Sequence, residues 1–441
     1  MVEHRPTLFA ISTGRPPAAI AVMRISGPAA FDAVRVLAGS LPPKREARLR
    51  LLRHPQSGDP LDQALVLLFP GPATATGEDL AELHLHGGAA VIAAVAAALA
   101  ELPGLRPAEA GEFTRRAFEN QVLDLAQVEG LADLLAAQTE RQRRQAIAHL
   151  NGFLGQKAEQ WRERMLDALA LVEAELDFSD EGDVGESNAA VDTITAELID
   201  ALNAALAKPS AERLSEGLKA AVVGPPNAGK SSLINYLAGR EVAIVTPIAG
   251  TTRDRIEVQL DISGLPFTLI DTAGLRETED PVEAEGVARA CRAAAEADIV
   301  IVMHGDADDQ SASNSWGRED AAVLHVHSLC DVDGRVPGYD DGHVLHLSSH
   351  TGQGVDQLAA ALTEMAEQRV GNGELLVLAN MRQRTALEGA LASLEDATVE
   401  ADEILKAEHL RRALNQIGQL TGRVGVEDML DALFSRFCIG K

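Results

Sequence analysis

Gly224-Pro225-Pro226-Asn227-Ala228-Gly229-Lys230-Ser231 follows the apolar run Ala220 to Val223 and precedes Ser232-Leu233-Ile234-Asn235. This is the spacing GxxxxGK[ST], set where a strand runs into a helix. The glycines let backbone N–H groups curl around a phosphate with no Cβ in the way. The N-terminus of the following helix adds partial positive charge. Lys230 is placed to reach the β- and γ-phosphates, and the Ser231 hydroxyl to ligate Mg²⁺. The stretch Asn227, Ala228, Gly229, Lys230, Ser231 and Ser232 is therefore the expected phosphate cradle.

Two more elements follow in order. Gly250-Thr251-Thr252-Arg253-Asp254 comes first, then the strand-like run Phe267 to Ile270, ending in Asp271-Thr272-Ala273-Gly274. Asp271 is expected to hold Mg²⁺ through water, and the Gly274 N–H to meet the γ-phosphate. A threonine of the middle segment is expected to close over the metal. Three phosphate-side elements in this order point to a GTPase. Reading guanine normally takes Asn-Lys-x-Asp. Here the strand Val323 to His327 leads to Ser328-Leu329-Cys330-Asp331. Asp331 fits the two guanine N–H groups, while Ser328 and Leu329 depart from the pattern. Ser348-Ser349-His350 follows, with backbone expected to reach the guanine oxygen. Each lost neutral hydrogen bond is worth roughly 0.5–1.5 kcal/mol, so guanine preference is expected to survive at lower affinity.

The chain has 441 residues, enough for two to three domains, and 46% hydrophobic residues, typical of a soluble globular protein. The apolar, alanine-rich stretch from Gly87 to Ala100 is too short for a membrane span and reads as a buried helix. No cationic start with a long apolar core opens the sequence, so no secretory signal is visible and the cytoplasm is the expected compartment. Cys291, Cys330 and Cys438 are odd in number and lack metal-type spacing, which fits a reducing compartment. Cys291 and Cys330 read as packing residues. A net charge of −27 opposes long-range attraction to nucleic acid. The clusters Arg141/Arg143/Arg144 and Arg411/Arg412 read as solvated helix faces rather than as an RNA-binding patch. His84 and His86 share a strand face but have no third ligand nearby, so ordinary side chains are expected.

Composition shifts divide the chain into an α+β part at 1–117, a helical part at 118–214 with 371–441, and an alternating α/β part at 215–370. Helices on both sides of the α/β part suggest an insertion into one helical domain. An acidic, glycine-broken loop, Ser179 to Ser187, interrupts the helical pattern.

The whole chain resembles the MnmE/TrmE family of tRNA wobble-uridine modification GTPases. The resemblance rests on Ala21-Val22-Met23-Arg24-Ile25-Ser26-Gly27, Thr76-Gly77-Glu78-Asp79 with Glu82, and His86-Gly87-Gly88. It continues through Gly111-Glu112-Phe113-Thr114, Arg116-Ala117-Phe118, Leu123-Asp124-Leu125-Ala126-Gln127 and the ending Phe437-Cys438-Ile439-Gly440-Lys441. It implies an N-terminal folate-binding and dimerising domain, a helical domain and an inserted Ras-like P-loop GTPase domain. It also implies K⁺-stimulated, dimerisation-activated GTP hydrolysis. An FAD-dependent MnmG/GidA-type partner, in a heterotetramer or larger assembly, would act with the homodimer. Together they would add an aminomethyl or carboxymethylaminomethyl group to C5 of the tRNA wobble uridine. tRNA would be held mainly through the partner, with 5-formyl-tetrahydrofolate or a related derivative as cofactor.

The resemblance also assigns residues. The position after DxxG, often a water-orienting glutamine, is Leu275, and Glu283 matches the family's catalytic glutamate. The residues alone also allow an exposed helix glutamate there. Asn227, the backbones of Thr246 and Ile248, and Thr251 match a K⁺ cage, and Ser231 and Thr252 match the direct Mg²⁺ ligands. Arg24, Glu82 and Lys441 match the folate site, although Val122 stands where the family has a lysine. Cys438 is either a nucleophile in the uridine chemistry or a buried structural thiol. A second reading keeps the GTPase fold but makes it a regulatory or scaffolding switch with weakened guanine recognition.

Overall fold

The computed structural model describes residues 5–14, 16–177, 184–208, 212–225, 227–239, 257–271, 292–304, 321–340, 343–371, 375, 378–423, 427–435 and 437–441. The chain divides into two compact units: Met1–Ala132 with Gly155–Glu159 and Ile417–Lys441, and Asp133–Leu154 with Gln160–Gln416.

The first unit is built on β1 (Thr7–Ile11), β2 (Ile20–Ser26), β3 (Arg48–Arg53), β4 (Pro60–Phe69), β5 (Leu80–His86) and β6 (Leu105–Pro107). They form a six-stranded sheet in the order β3-β4-β5-β2-β1-β6. Only β1 and β6 run parallel. Alternation decides which side is covered. In β5, Ala81, Leu83 and Leu85 are buried, while Glu82 and His84 point the other way and stay half-exposed. Helices α1 (Ala30–Ala38) and α2 (Ala89–Ala100) close the apolar side over Phe9, Met23, Ile25, Val66 and Leu83. The α2 segment is not the buried helix its composition suggests. Only Val95, Ala98 and Leu99 are buried, and Ala93, Ala97 and Ala100 face solvent. An alanine costs little when exposed and favours helix, so an all-apolar composition does not require burial all round.

Helix α3 (Glu112–Glu119) starts at Gly111, whose φ of 71° is left-handed. A Cβ there would lie 2.3 Å from the Phe434 carbonyl oxygen, so glycine is required twice over. Helix α4 (Leu125–Ala136) follows a reciprocal cap. The Gln127 N–H donates to Asp124 Oδ1 at 2.8 Å, and the Asp124 N–H donates to Gln127 Oε1 at 2.9 Å.

A buried polar cluster ties these pieces together. The Arg116 guanidinium, 4% exposed, donates to both Glu78 oxygens at 3.1 and 3.0 Å and to the Pro6 carbonyl at 2.7 Å. Glu78 also accepts from the Ser26 hydroxyl at 2.8 Å, Ser26 meets Thr76 at 2.7 Å, and Asn120 donates to the Thr76 carbonyl at 2.6 Å. A buried charge is tolerated when it is paired and hydrogen-bonded, as here. The chain end completes the same unit: Ile439 bridges Ala110, and the Ser12 hydroxyl donates to the Gly440 carbonyl at 2.8 Å.

The second unit holds α5 (Glu140–Leu150), α6 (Phe153–Asp177) from Gln160 onward, α7 (Val184–Leu206), α8 (Glu212–Glu216) and a seven-stranded sheet. Helix α7 packs along Met381–Val399. The Thr139 capping box starts α5, and Gln142 of that box also donates to the Leu214 and Ser215 carbonyls at 3.0 and 3.1 Å. The sheet strands are β7 (Leu218–Val223), β8 (Glu257–Ile262), β9 (Leu265–Asp271), β10 (Ile299–His304), β11 (Ala322–His327), β12 (Gly338–Tyr339) and β13 (Leu345–His346), in the order β12-β13-β11-β10-β7-β9-β8. Strands β9, β7, β10, β11 and β13 are parallel. Apolar clusters cover both faces, as a parallel sheet requires.

Removing one partner of a buried ion pair strands the other charge. Glu78→Ala is expected to lower the opening free energy of the first unit by about 3–5 kcal/mol, read as faster hydrogen exchange at the β1 and β2 amides. Unchanged exchange would contradict the clamp. Burial raises the Glu112 carboxyl, but hydrogen bonds from Arg106 and the Glu109 N–H, with the Arg106 and Arg116 charges, outweigh it and leave it below its ordinary value of 4.5. The ionised form is favoured by folding. Its contribution is present above that ordinary value and is lost as pH falls through the lowered one. Glu112→Gln is therefore expected to flatten the loss of stability on acidification below about pH 4.5. A denaturation profile as steep as the wild type's would refute this.

Candidate nucleotide site

β7 is the hinge of the second sheet. The chain leaves it for β8 and β9 on one side, then crosses to β10 on the other. The carboxyl end of such a strand opens a crevice, and ligands of α/β sheets bind there. Leu218, Ala220, Ala221, Val222 and Val223 are fully buried, which seats this central strand in the core. The loop that leaves it begins at Gly224 with φ 149°, where a Cβ would sit 2.3 Å from the Met303 carbonyl oxygen of β10.

The loop then turns through Asn227, exposed at φ 62°, and Gly229 at φ 86°, into helix α9 (Lys230–Gly239). Lys230 is 8% exposed. Its ammonium donates to the Gly224 and Pro225 carbonyls at 3.0 and 2.7 Å. A cation buried at the amino end of a helix opposes the helix dipole, and an anion in the loop relieves that opposition. The donor set therefore suits a phosphate. Ser231 is half-buried in the first turn and Ser232 is exposed. Asp271 ends β9 in register with Val222 of the strand that leads into the loop.

The base side is assembled from two loops. Asp331 is exposed in the short helix Cys330–Asp333. Leu329 bridges Ser348, and the Cys330 N–H donates to the Leu347 carbonyl at 3.2 Å. The Ser348 hydroxyl, fully buried, accepts from the His350 and Thr351 N–H groups at 3.2 and 3.0 Å and shapes the 348–352 turn. Ser349 is half-buried beside it. Thr246, Ile248, Thr251, Thr252, Thr272, Ala273, Gly274, Glu283 and Cys291 lie outside the described residues.

In the first unit, Arg24 and Glu82 are register partners on β2 and β5, and Arg24 Nε and Nη2 donate to Glu82 Oε1 at 3.2 and 2.9 Å. Arg24 also lies 5.9 Å from the centre of the Phe113 ring. The pair is part-exposed, so both groups are open to a ligand. Lys441 follows Gly440 on the tail that docks at Ile11 and Ser12. Cys438 is exposed, which removes the buried-thiol alternative, and Cys330 is buried, as expected of a packing residue.

Arg143, Arg411 and Arg412 lie on solvated faces, as expected, but Arg141 does not: its side chain is only 16% exposed. Arg141 binds the Gly371 carbonyl and Glu367, Arg143 pairs with Glu140, Arg411 with Glu173 and Arg412 with Glu408. His84 and His86 pair with Glu82 and Asp62, and among the described residues no group of three or more His, Cys, Asp or Glu is set to hold a metal. Two ring contacts, His304–His325 and His327–His346, form across strands and have no local sequence signal.

Known proteins give the frame for these two sites. A family pattern described as "GTP-binding protein TrmE N-terminus" matches residues 7–122, and one described as "MnmE helical domain" matches 125–438. The chain is 49% identical over 449 residues to a tRNA modification GTPase MnmE of Bradyrhizobium sp. (strain ORS 278), covering 100% of both chains. It is 51% identical over 443 residues to that of Methylobacterium sp. (strain 4-46), covering 99% of both. The chain belongs to the MnmE family. As a member of it, the protein is a GTP hydrolase with an N-terminal TrmE-type domain, a helical domain and a P-loop GTPase domain. No described helix is long and apolar enough to cross a membrane.

Gly229→Ala would drive a Cβ to 2.3 Å from the Ser328 hydroxyl at a left-handed φ. GDP affinity is expected to fall by about tenfold or more, measured by calorimetry. Wild-type affinity in that variant would contradict the site geometry.

Proposed function

We propose that this MnmE-family chain hydrolyses GTP in a K⁺-stimulated, dimerisation-activated cycle that serves modification of tRNA. In this reading, an FAD-dependent MnmG/GidA-type partner and a homodimer of this chain add a carboxymethylaminomethyl or aminomethyl group to C5 of the wobble uridine. The observation that carries it is near 50% identity over the whole length, together with a buried Lys230 that donates to the Gly224 and Pro225 carbonyls. The domain limits that go with it are 1–117, 118–214 with 371–441, and 215–370.

The roles follow from side-chain chemistry. Lys230 and the loop amides neutralise the phosphates, and Ser231 and Thr252 supply hydroxyls for Mg²⁺, with Asp271 behind them. Asn227, exposed at the rim of the loop, offers a carbonyl oxygen to K⁺, and Thr246, Ile248 and Thr251 offer the rest. A cation beside the β/γ bridge supplies positive charge where negative charge develops. Glu283 orients the attacking water in place of the glutamine that Leu275 excludes. Asp331 selects guanine, and the backbone at Ser348 and Ser349 faces the base oxygen. Arg24 and Glu82 offer a cation and a carboxylate to the tail and ring of a tetrahydrofolate such as the 5-formyl derivative, with Lys441 nearby in sequence to the tail contacts. Cys438, exposed at the same tail, is available to the uridine chemistry. The cytoplasm, where the tRNA substrate resides, is the site of action.

GTP turnover is expected to be faster in KCl than in NaCl, with ATP turned over far more slowly, and Asn227→Ala is expected to lose the K⁺ response. An unchanged K⁺ response in that variant would remove the cation assignment. Absence of GTP turnover in either salt would favour the scaffolding reading that Ser328 and Leu329 raise. Nucleoside analysis of tRNA from cells lacking this chain is expected to show loss of the C5 modification.

A further inference from the structure

Ser328 occupies the position from which a longer amide side chain usually helps to read guanine. We propose that Ser328 is instead a positioning residue: its hydroxyl locks the base-selecting loop to the phosphate loop and takes no part in reading the base. The proposal rests on the nucleotide-site reading given above.

The Ser328 Oγ donates to the Ala228 carbonyl at 2.7 Å. Both residues are 1% exposed. A serine hydroxyl has a single proton to give, and here that proton lies on a phosphate-loop carbonyl. Guanine N7 is an acceptor and needs a donor. The hydroxyl cannot serve N7 while it holds Ala228. The neighbouring glycine is shaped to this contact. A Cβ on Gly229 would lie 2.3 Å from Ser328 Oγ and 3.4 Å from Ser328 Cβ, so the serine packs against a position of the loop where a side chain has no room. On its other side the base loop is tied to the segment that follows β13 through the Leu329–Ser348 bridge and the Cys330 N–H bond to Leu347. Ser328 thus joins the loop that carries Asp331 to the loop that carries Lys230. Two consequences follow. Losing N7 from the base should cost this protein nothing through Ser328. Losing the hydroxyl should weaken even a ligand that has no base, because the phosphate loop loses its support.

The test is calorimetry on the full chain with GDP, 7-deaza-GDP and inorganic pyrophosphate, using the wild type, Ser328→Ala and Asp331→Asn, with melting temperatures recorded alongside. The wild type is expected to bind GDP and 7-deaza-GDP within about twofold. Ser328→Ala is expected to weaken GDP and pyrophosphate alike, by about tenfold, at an unchanged melting temperature. Asp331→Asn is expected to weaken GDP and leave pyrophosphate unaffected. A wild-type preference for GDP over 7-deaza-GDP that Ser328→Ala abolishes would overturn the proposal, because the hydroxyl would then be reading the base. A loss in Ser328→Ala confined to GDP, with pyrophosphate unchanged, would overturn it too. If that variant does not fold, the wild-type comparison decides alone, and a tenfold or greater preference for GDP counts against the strut. A wild-type chain that binds neither GDP nor pyrophosphate removes the nucleotide-site reading, and the proposal with it.

Discussion

The docking of residues 437–441 onto the first sheet is the constraint on which the first unit depends. The Ser12 hydroxyl and the Gly440 carbonyl are 428 residues apart in sequence and 2.8 Å apart in space. Gly440, at φ 96°, lies so close to the Ile11 carbonyl that a Cβ would approach it to 2.0 Å. Phe434 and Phe437, with Val128, form the small apolar cluster under the tail, and the Phe434 carbonyl fills the place that Gly111 leaves open. Everything between Asp133 and Gln416, apart from Gly155–Glu159, is spent in the other unit before the chain returns.

The two units solve one problem in different ways. Each must hold a cationic side chain away from water. In the first, Arg116 is satisfied inside the fold by Glu78 and the Pro6 carbonyl, so it is structural. In the second, Lys230 donates to the Gly224 and Pro225 carbonyls at the positive end of a helix, where an incoming phosphate is a favourable counter-charge. The same chemical type is cement in one place and a binding group in the other.

How much could be read in the sequence follows from how local each feature is. The phosphate loop was legible because a strand, a turn and a helix start lie within a few residues, and the residue types themselves carry the chemistry. The motifs around Glu78, Gly111, Arg116, Asp124 and the tail were legible as marks of a family, but their reasons were not. Arg116 meets Glu78 and Gly111 meets Phe434 across long stretches of chain, and no periodicity encodes that. Asp124 and Gln127, by contrast, are a local cap that spacing alone could have suggested. Alanine reports helix propensity more than burial, so the composition of α2 overstates how much of it is covered. The Ser328 bond was hidden for another reason: the substitution read as a loss from the guanine motif, and only the fold showed what the hydroxyl reaches.

The closing role of the tail also sets an order of events during synthesis. Strands β1 to β6 leave the ribosome early, yet the residues that cap Ile11, Ser12 and Ala110 are made hundreds of residues later. The β7–α9 phosphate loop and its flanking strands need only neighbours made within the same stretch of chain. In vectorial synthesis the part that handles nucleotide can therefore assemble first, while the first unit waits with an unfinished edge. A fusion or a nick at the carboxyl end would then act as a fault at the amino end, in a domain whose own sequence is intact.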